Sequence, residues 1–214
     1  SYFSSSEDEY VSVGDLIKFE GWKTQLEAVN DLIDICKQDP DILLFIRLHP
    51  HKRDKSAADQ QRWLSLAKHE NVTVVSFDSD VDTYALIERS EIVVTAGSTV
   101  GLEATFMGRP SITVGPSAYS ELGATYQPHS RAELESLIAS KPSPLPVEGV
   151  LAYGHYMITF GTKFKFYEPE SLFKGKFLGV DLHDLPPARQ RWLKIRQYLF
   201  KPYRLVRKMW SAAR

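Results

Sequence analysis

The hydrophobic pattern predicts an α/β protein built on a doubly wound, parallel, Rossmann-like sheet. Three features point there. Short continuous runs of β-branched and aliphatic residues recur through the first two thirds of the chain, helix-type segments separate them, and strands without polar alternation need cover on both faces. A chain that alternates strand and helix in this way forms a parallel sheet with helical crossovers.

Taken in order, residues 2–5 read as a further strand, cut close to its start. Trp22, Leu26, Val29, Ile33 and Cys36 recur at spacings of four, three, four and three, which is one apolar stripe on a helix. Residues 42–48 (ILLFIRL), 72–77 (VTVVSF), 92–95 (IVVT) and 111–114 (SITV) are the next strands. Residues 60–69, 82–89, 100–107 and 131–140 are the helices around them. The alternation stops at Lys141. Prolines 142, 144 and 146 make residues 141–148 a stiff extended linker that cannot be helix interior. The expected organisation is therefore a domain over 1–140, a Pro-rich linker over 141–148, and an aromatic and basic helical extension over 149–214. In that extension, residues 189–200 form a basic helix with Trp192, Ile195 and Leu199 on one side, broken or kinked at Pro202.

Composition narrows the function classes. The chain has 214 residues, 43% of them apolar and 25% charged, enough for a real core without a metal or disulfide staple. Cys36 is the only cysteine, which excludes an intrachain disulfide and a cysteine-based zinc site. The longest apolar run, residues 42–46, falls far short of the roughly 18 residues of a membrane span. The acidic opening SYFSSSEDEY has no secretory-signal pattern, so a soluble intracellular chain, a piece of something longer, is expected. The net charge of −1 conceals an asymmetry. From Arg189 onward there are nine Lys and Arg and no acid, leaving 17 basic against 27 acidic residues in the body. An acidic body argues against nucleic acid as its ligand.

In an open parallel sheet, ligands collect beyond the carboxyl ends of the strands. RLHPHKR, residues 47–53, lies at one such end. Pro50 stops the strand and holds His49 at the edge, where an imidazole can donate to a phosphate oxygen or protonate a leaving group. Arg47, Lys52 and Arg53 add positive charge, and Arg47 and Pro50 are counted with His49 as phosphate contacts. TAGSTVGLEA, residues 95–104, lies at another. Gly97 makes the turn, Ser98 and Thr99 open a helix, and Gly101 permits close approach, so free N–H groups and two hydroxyls would meet an anion. Glu103 is not placed for a capping box with either hydroxyl, which frees its carboxylate to accept a ribose diol. Ser5, Ser6 and Glu7 in SSSEDE either touch sugar or acceptor or belong to a solvated acidic loop. FDSDVD, residues 77–82, has D-x-D spacing, but Asp80 or Asp82 also fits as a helix N-cap, and no metal is expected there.

Together, the SSEDEY opening, the RLHP strand end, the VDTYALI helix and the GSTVGLEA…GRPSI segment resemble bacterial capsule and surface-polysaccharide glycosyltransferases of the GT-B fold. His49 with Pro50, and Ser98 with Thr99, resemble the HP and S(S/T) motifs of CMP-sialic acid and CMP-Kdo transferases, where both hold the nucleotide phosphate. The same segment resembles the phosphate loop and ribose-binding Glu of the UDP-GlcNAc 2-epimerase fold, which implies Glu103 as the ribose partner. The resemblance covers residues 1–140 and implies only the C-terminal, donor-binding half of a two-domain enzyme. The N-terminal acceptor domain, which carries the general base, is missing, and EDE here lacks the Gly of the acid-acid-Gly motif.

The implied activity is direct transfer from a nucleotide sugar, CMP-linked in preference to UDP-linked, to a glycan or glycolipid acceptor, with His49 catalytic and no cofactor. A UDP-sugar enzyme, a 2-epimerase-like enzyme and a non-catalytic membrane- or partner-docking module are the alternatives. GSTVGLEA lacks the paired glutamates of the epimerases. The implied location is the bacterial cytoplasm, peripheral on the inner face of the membrane. The basic residues of 189–214, interleaved with Trp192, Tyr198, Tyr203 and Trp210, suit an anionic bilayer.

Overall fold

The computed structural model describes residues 1–5, 21–161, 164–171, 174–181 and 191. They fall into two compact units, Ser1–Thr159 and Phe160–Arg214.

The first unit is the doubly wound sheet. Its strands are β1 (Tyr2–Phe3), β2 (Leu44–Arg47), β3 (Val72–Val75), β4 (Val93–Thr95) and β5 (Ser111–Thr113). They lie in the order β3-β2-β1-β4-β5, and every pairing is parallel. The helices are α1 (Gln25–Gln38), α2 (Ala57–Leu64), α3 (Thr83–Glu88), α4 (Val100–Phe106), α5 (Arg131–Ser140) and α6 (Glu148–Thr159). Tyr2, Ile46, Val94 and Ile112 look to one face, where α1 and α5 bring Val29, Ile33, Leu134 and Ile138. Phe3 and Val93 look to the other, against Ile87 of α3 and Ala104 of α4. β1, β4 and β5 are buried on both faces, whereas Phe45 of β2 and Thr73 of β3 are exposed.

Local chemistry sets the helix starts. Thr24 caps α1 by accepting the Glu27 N–H at 3.2 Å, and Ser56 caps α2 through Asp59 at 3.2 Å. That cap starts α2 three residues before the apolar pattern does, and a 3-10 turn over Ser65–Lys68 completes the expected segment. Trp22 precedes α1 and donates its indole N–H to Asp31 at 2.7 Å.

Two expectations about organisation are corrected. The first unit does not end at residue 140. After the extended 141–147 stretch, α6 packs back on α4 and on the 3-10 turn Ser120–Leu122, with Val150 and Tyr153 against Leu102, Tyr119 and Ala124. Gly149 permits this approach, since a Cβ there would run into the Leu122 carbonyl. Nor is 149–214 helical throughout. The second unit holds an antiparallel meander, β6 (Tyr167–Ser171), β7 (Lys174–Phe177) and β8 (Val180–Asp181). Leu178 and Gly179, at φ 52° and 76°, form the two-residue turn that joins Phe177 to its partner Val180. Of the basic stretch 189–214, all but Arg191 lies outside the described residues.

Candidate functional site

The strand order reverses at β1. The chain leaves β1 toward β2 on one side and returns to β4 on the other, so the loops after β2 and β4 flank Ser4 and Ser5 at the point where ligands of open parallel sheets collect. Adjacent strands lie about 4.8 Å apart, which puts those two loops roughly 10 Å from each other across β1.

Ser4 ties β1 to the histidine loop. Its N–H donates to the Arg47 carbonyl at 3.0 Å, and its hydroxyl accepts the His49 N–H at 2.8 Å. Ser5 is clamped by Gln25 of α1. The Ser5 N–H donates to Gln25 Oε1 at 2.8 Å, Gln25 Nε2 donates to the Ser5 carbonyl at 3.0 Å, and the Tyr2 hydroxyl donates to the same Oε1 at 3.3 Å. The Ser5 hydroxyl is one of three buried side-chain oxygens with no hydrogen-bond partner among the described residues, with Ser111 and Ser117. Ser6 and Glu7 lie outside the described residues.

His49 is half-buried at the carboxyl edge of β2, and Pro50 opens a 3-10 turn over Pro50–Asp54. The His51 N–H donates to His49 Nδ1 at 3.2 Å, and the two rings meet edge to face at 4.7 Å. With Nδ1 an acceptor, the neutral imidazole carries its proton on Nε2, the tautomer that can donate outward. Arg47 has a different task from the expected one. Its guanidinium donates to the Ser76 carbonyl at 2.8 Å and the Ser79 carbonyl at 3.2 Å, so it anchors the loop after β3. Two of the three D-x-D acids are also engaged: Asp78 pairs with Arg53, and Asp82 caps α3 by accepting the Ala85 N–H at 2.8 Å. Among the described residues no three His, Cys, Asp or Glu gather as metal ligands would.

Gly97 turns the chain off β4 at φ 105°, a conformation favoured by glycine. Three of the N–H groups that follow are already engaged, where the sequence led us to expect them free. Ser98 N–H donates to Thr95 Oγ1 at 3.1 Å, Val100 N–H to Ser98 Oγ at 3.3 Å, and Gly101 N–H to the Ser98 carbonyl at 3.0 Å. That carbonyl also accepts the Tyr119 hydroxyl at 2.6 Å. The loop is rigidly built, and what it presents is mainly side chain: the half-buried Ser98 and the exposed Thr99. Gly101 is a packing glycine. A Cβ there would lie 2.9 Å from Thr95 Cγ2 and 3.0 Å from the Tyr119 hydroxyl, so its close approach is to the sheet and not to a ligand. Glu103 is not idle either. It accepts the Thr99 hydroxyl at 3.2 Å and lines one groove with the Tyr84 phenol, whose pKa the Glu103 charge pushes up.

The structure therefore places His49 after β2 and Ser98 and Thr99 after β4, on either side of β1 at the carboxyl edge of the sheet, with Glu103 one turn further along α4. Sequence reasoning missed Gln25, Tyr84 and Tyr119. Gln25 and Tyr119 belong to none of the segments singled out in the sequence, and Tyr84 lies in the VDTYALI helix without having been picked out there.

A family model described as capsule polysaccharide biosynthesis protein matches residues 11–147. The chain belongs to that family. The match spans β2 through β5 and ends in the extended stretch before α6, so every described site residue after Ser5 lies within it. None of the curated proteins matches this chain. Among solved structures, it is similar to the UDP-GlcNAc 2-epimerase of Methanocaldococcus jannaschii, solved with UDP-GlcNAc and UDP, at 15% identity and a TM-score of 0.48, over 75% of this chain and 45% of that one. It is also similar to two Thermosulfurimonas dismutans KpsC structures. The β-Kdo 2,4 transferase is matched at 16% identity and a TM-score of 0.38, over 57% of this chain and 35% of that one. The β-Kdo 2,7 transferase is matched at 16% identity and a TM-score of 0.39, over 73% of this chain and 54% of that one. The chain thus spans about half or less of the length of each.

Proposed function

We propose that this chain is the donor-binding half of a GT-B glycosyltransferase of capsule or surface polysaccharide synthesis, taking a nucleotide sugar, CMP-linked by preference. The observation that carries this reading is the strand-order reversal at β1, with His49 on the loop to one side and Ser98 and Thr99 on the loop to the other. The roughly 10 Å between those loops suits a phosphate held by side chains from both. As the anomeric carbon is attacked by an acceptor hydroxyl, negative charge grows on the leaving phosphate. His49 Nε2–H and the Ser98 and Thr99 hydroxyls are donors aimed at that charge, and each such donor typically contributes on the order of 10² in rate. The base that activates the acceptor belongs to a second domain, and the reading needs no metal or other cofactor. Glu103 holds the ribose, exchanging its bond to Thr99 for the diol. The basic, aromatic 189–214 segment would hold the enzyme at an anionic membrane face, near a lipid-linked acceptor.

A thermal-shift titration with CMP, UDP, GDP and ADP tests this, with His49→Ala and Ser98→Ala run alongside. At about 100 times its dissociation constant a ligand stabilises the native state by roughly 2.7 kcal/mol. Stabilisation by CMP that both substitutions abolish is the expected result. A response to UDP alone moves the donor class, and no response to any nucleotide rejects the reading.

A further inference from the structure

Beside the phosphate loop, the first unit has an open groove of about 450 Å³ between α3, α4 and α6. Along α4 it is lined in turn by Thr99, Glu103 and Phe106, with Tyr84 of α3 and Tyr153 and Met157 of α6 facing them. Its character changes along its length. One end holds the Thr99, Glu103 and Tyr84 oxygens, and the rest is aromatic, aliphatic and thioether surface. Tyr84 is 55% exposed, Phe106 63% and Met157 61%, a large amount of apolar surface to leave in water on one groove.

The spacing along α4 gives the groove a direction. A helix rises 1.5 Å per residue, so Glu103 lies about 6 Å below Thr99, and Phe106 about 4.5 Å below Glu103. Any nucleotide presents phosphate, ribose and base in that order with steps of the same size. A phosphate at Ser98 and Thr99 and a diol at Glu103 leave the base one place to go, among Phe106, Tyr84 and Met157. Tyrosine and phenylalanine rings and a methionine sulfur are suitable faces for a planar heteroaromatic ring.

We infer that this groove is the nucleoside subsite, in which the base is held by its faces against Tyr84 and Met157. The inference rests on the proposed nucleotide-sugar reading and extends it to the base. Tyr84 and Met157 act as binding residues, remote from the bond that breaks.

The test compares CMP with ribose 5-phosphate, which has the phosphate and sugar but no base, by titration calorimetry on the full chain. Wild type is expected to bind CMP at least about tenfold more tightly. Tyr84→Ala and Met157→Ala should each cut CMP affinity about tenfold and leave ribose 5-phosphate unchanged, while Tyr84→Phe keeps the ring and most of the affinity. Both side chains are largely exposed, so these variants fold. If they bind CMP like wild type while His49→Ala and Ser98→Ala lose it, the groove is not the subsite and the donor reading stands. If wild type binds no nucleotide at all, CMP and UDP included, both fall together.

Discussion

At the exit of β1, the Gln25 amide takes the place of a neighbouring strand, giving Ser5 both an acceptor for its N–H and a donor for its carbonyl inside a buried site. Gln25→Leu keeps the bulk and strands those two backbone groups. Each unmade buried bond costs about 1–3 kcal/mol, so the variant should lose at least about 2 kcal/mol in urea unfolding. A loss under about 1 kcal/mol would mean that Ser5 reaches water instead. Residue types and spacings were enough to single out His49, Ser98, Thr99 and Glu103 in the sequence. Their partners were not legible. Arg47 belongs to the Ser76–Ser79 loop because β3 lies beside β2, and Glu103 meets Tyr84 because α3 lies beside α4; both are facts of neighbourhood, not of spacing.

The elements themselves were legible where a cap or a continuous apolar run marks them. Thr24, Ser56, Asp82 and Ser130 each accept an N–H three residues on, and helices follow all four. Helix α4 has no such side-chain cap; it is placed instead by how closely Gly101 lets it approach β4. Gly101→Ala gains about 1 kcal/mol of helix propensity but forces a methyl against Thr95 and Tyr119 in a packed interior, which typically costs about 1–3 kcal/mol. A net fall in the denaturation midpoint is expected, and with it weaker nucleotide binding, because Tyr119 also fixes the Ser98 carbonyl. An unchanged midpoint would show that the interface has slack. The meander in the second unit escaped notice because its turn is Leu-Gly, with a left-handed leucine where Asn or Asp is the usual signal.

For the molecule as a whole, the charge is divided along the chain, with nine basic residues and no acid after residue 188. No helix among the described residues is long and apolar enough to cross a membrane. If the 189–214 segment holds the protein to anionic lipid, the full chain should co-sediment with phosphatidylglycerol vesicles at low salt. It should release on raising salt to 0.5 M, where the Debye length falls to roughly 4 Å. No binding at low salt would remove the membrane from the proposal. The sequence by itself determined the sheet and its parallel sense, because strand and helix periodicities are local and the crossover rules leave few ways to join them. Only the tertiary structure decided which N–H groups were already spent, that Gly101 serves packing, that α6 returns to the first unit, and that Tyr84, Met157 and Glu103 share one groove. Those outcomes depend on residues far apart in sequence becoming neighbours, which no local pattern encodes.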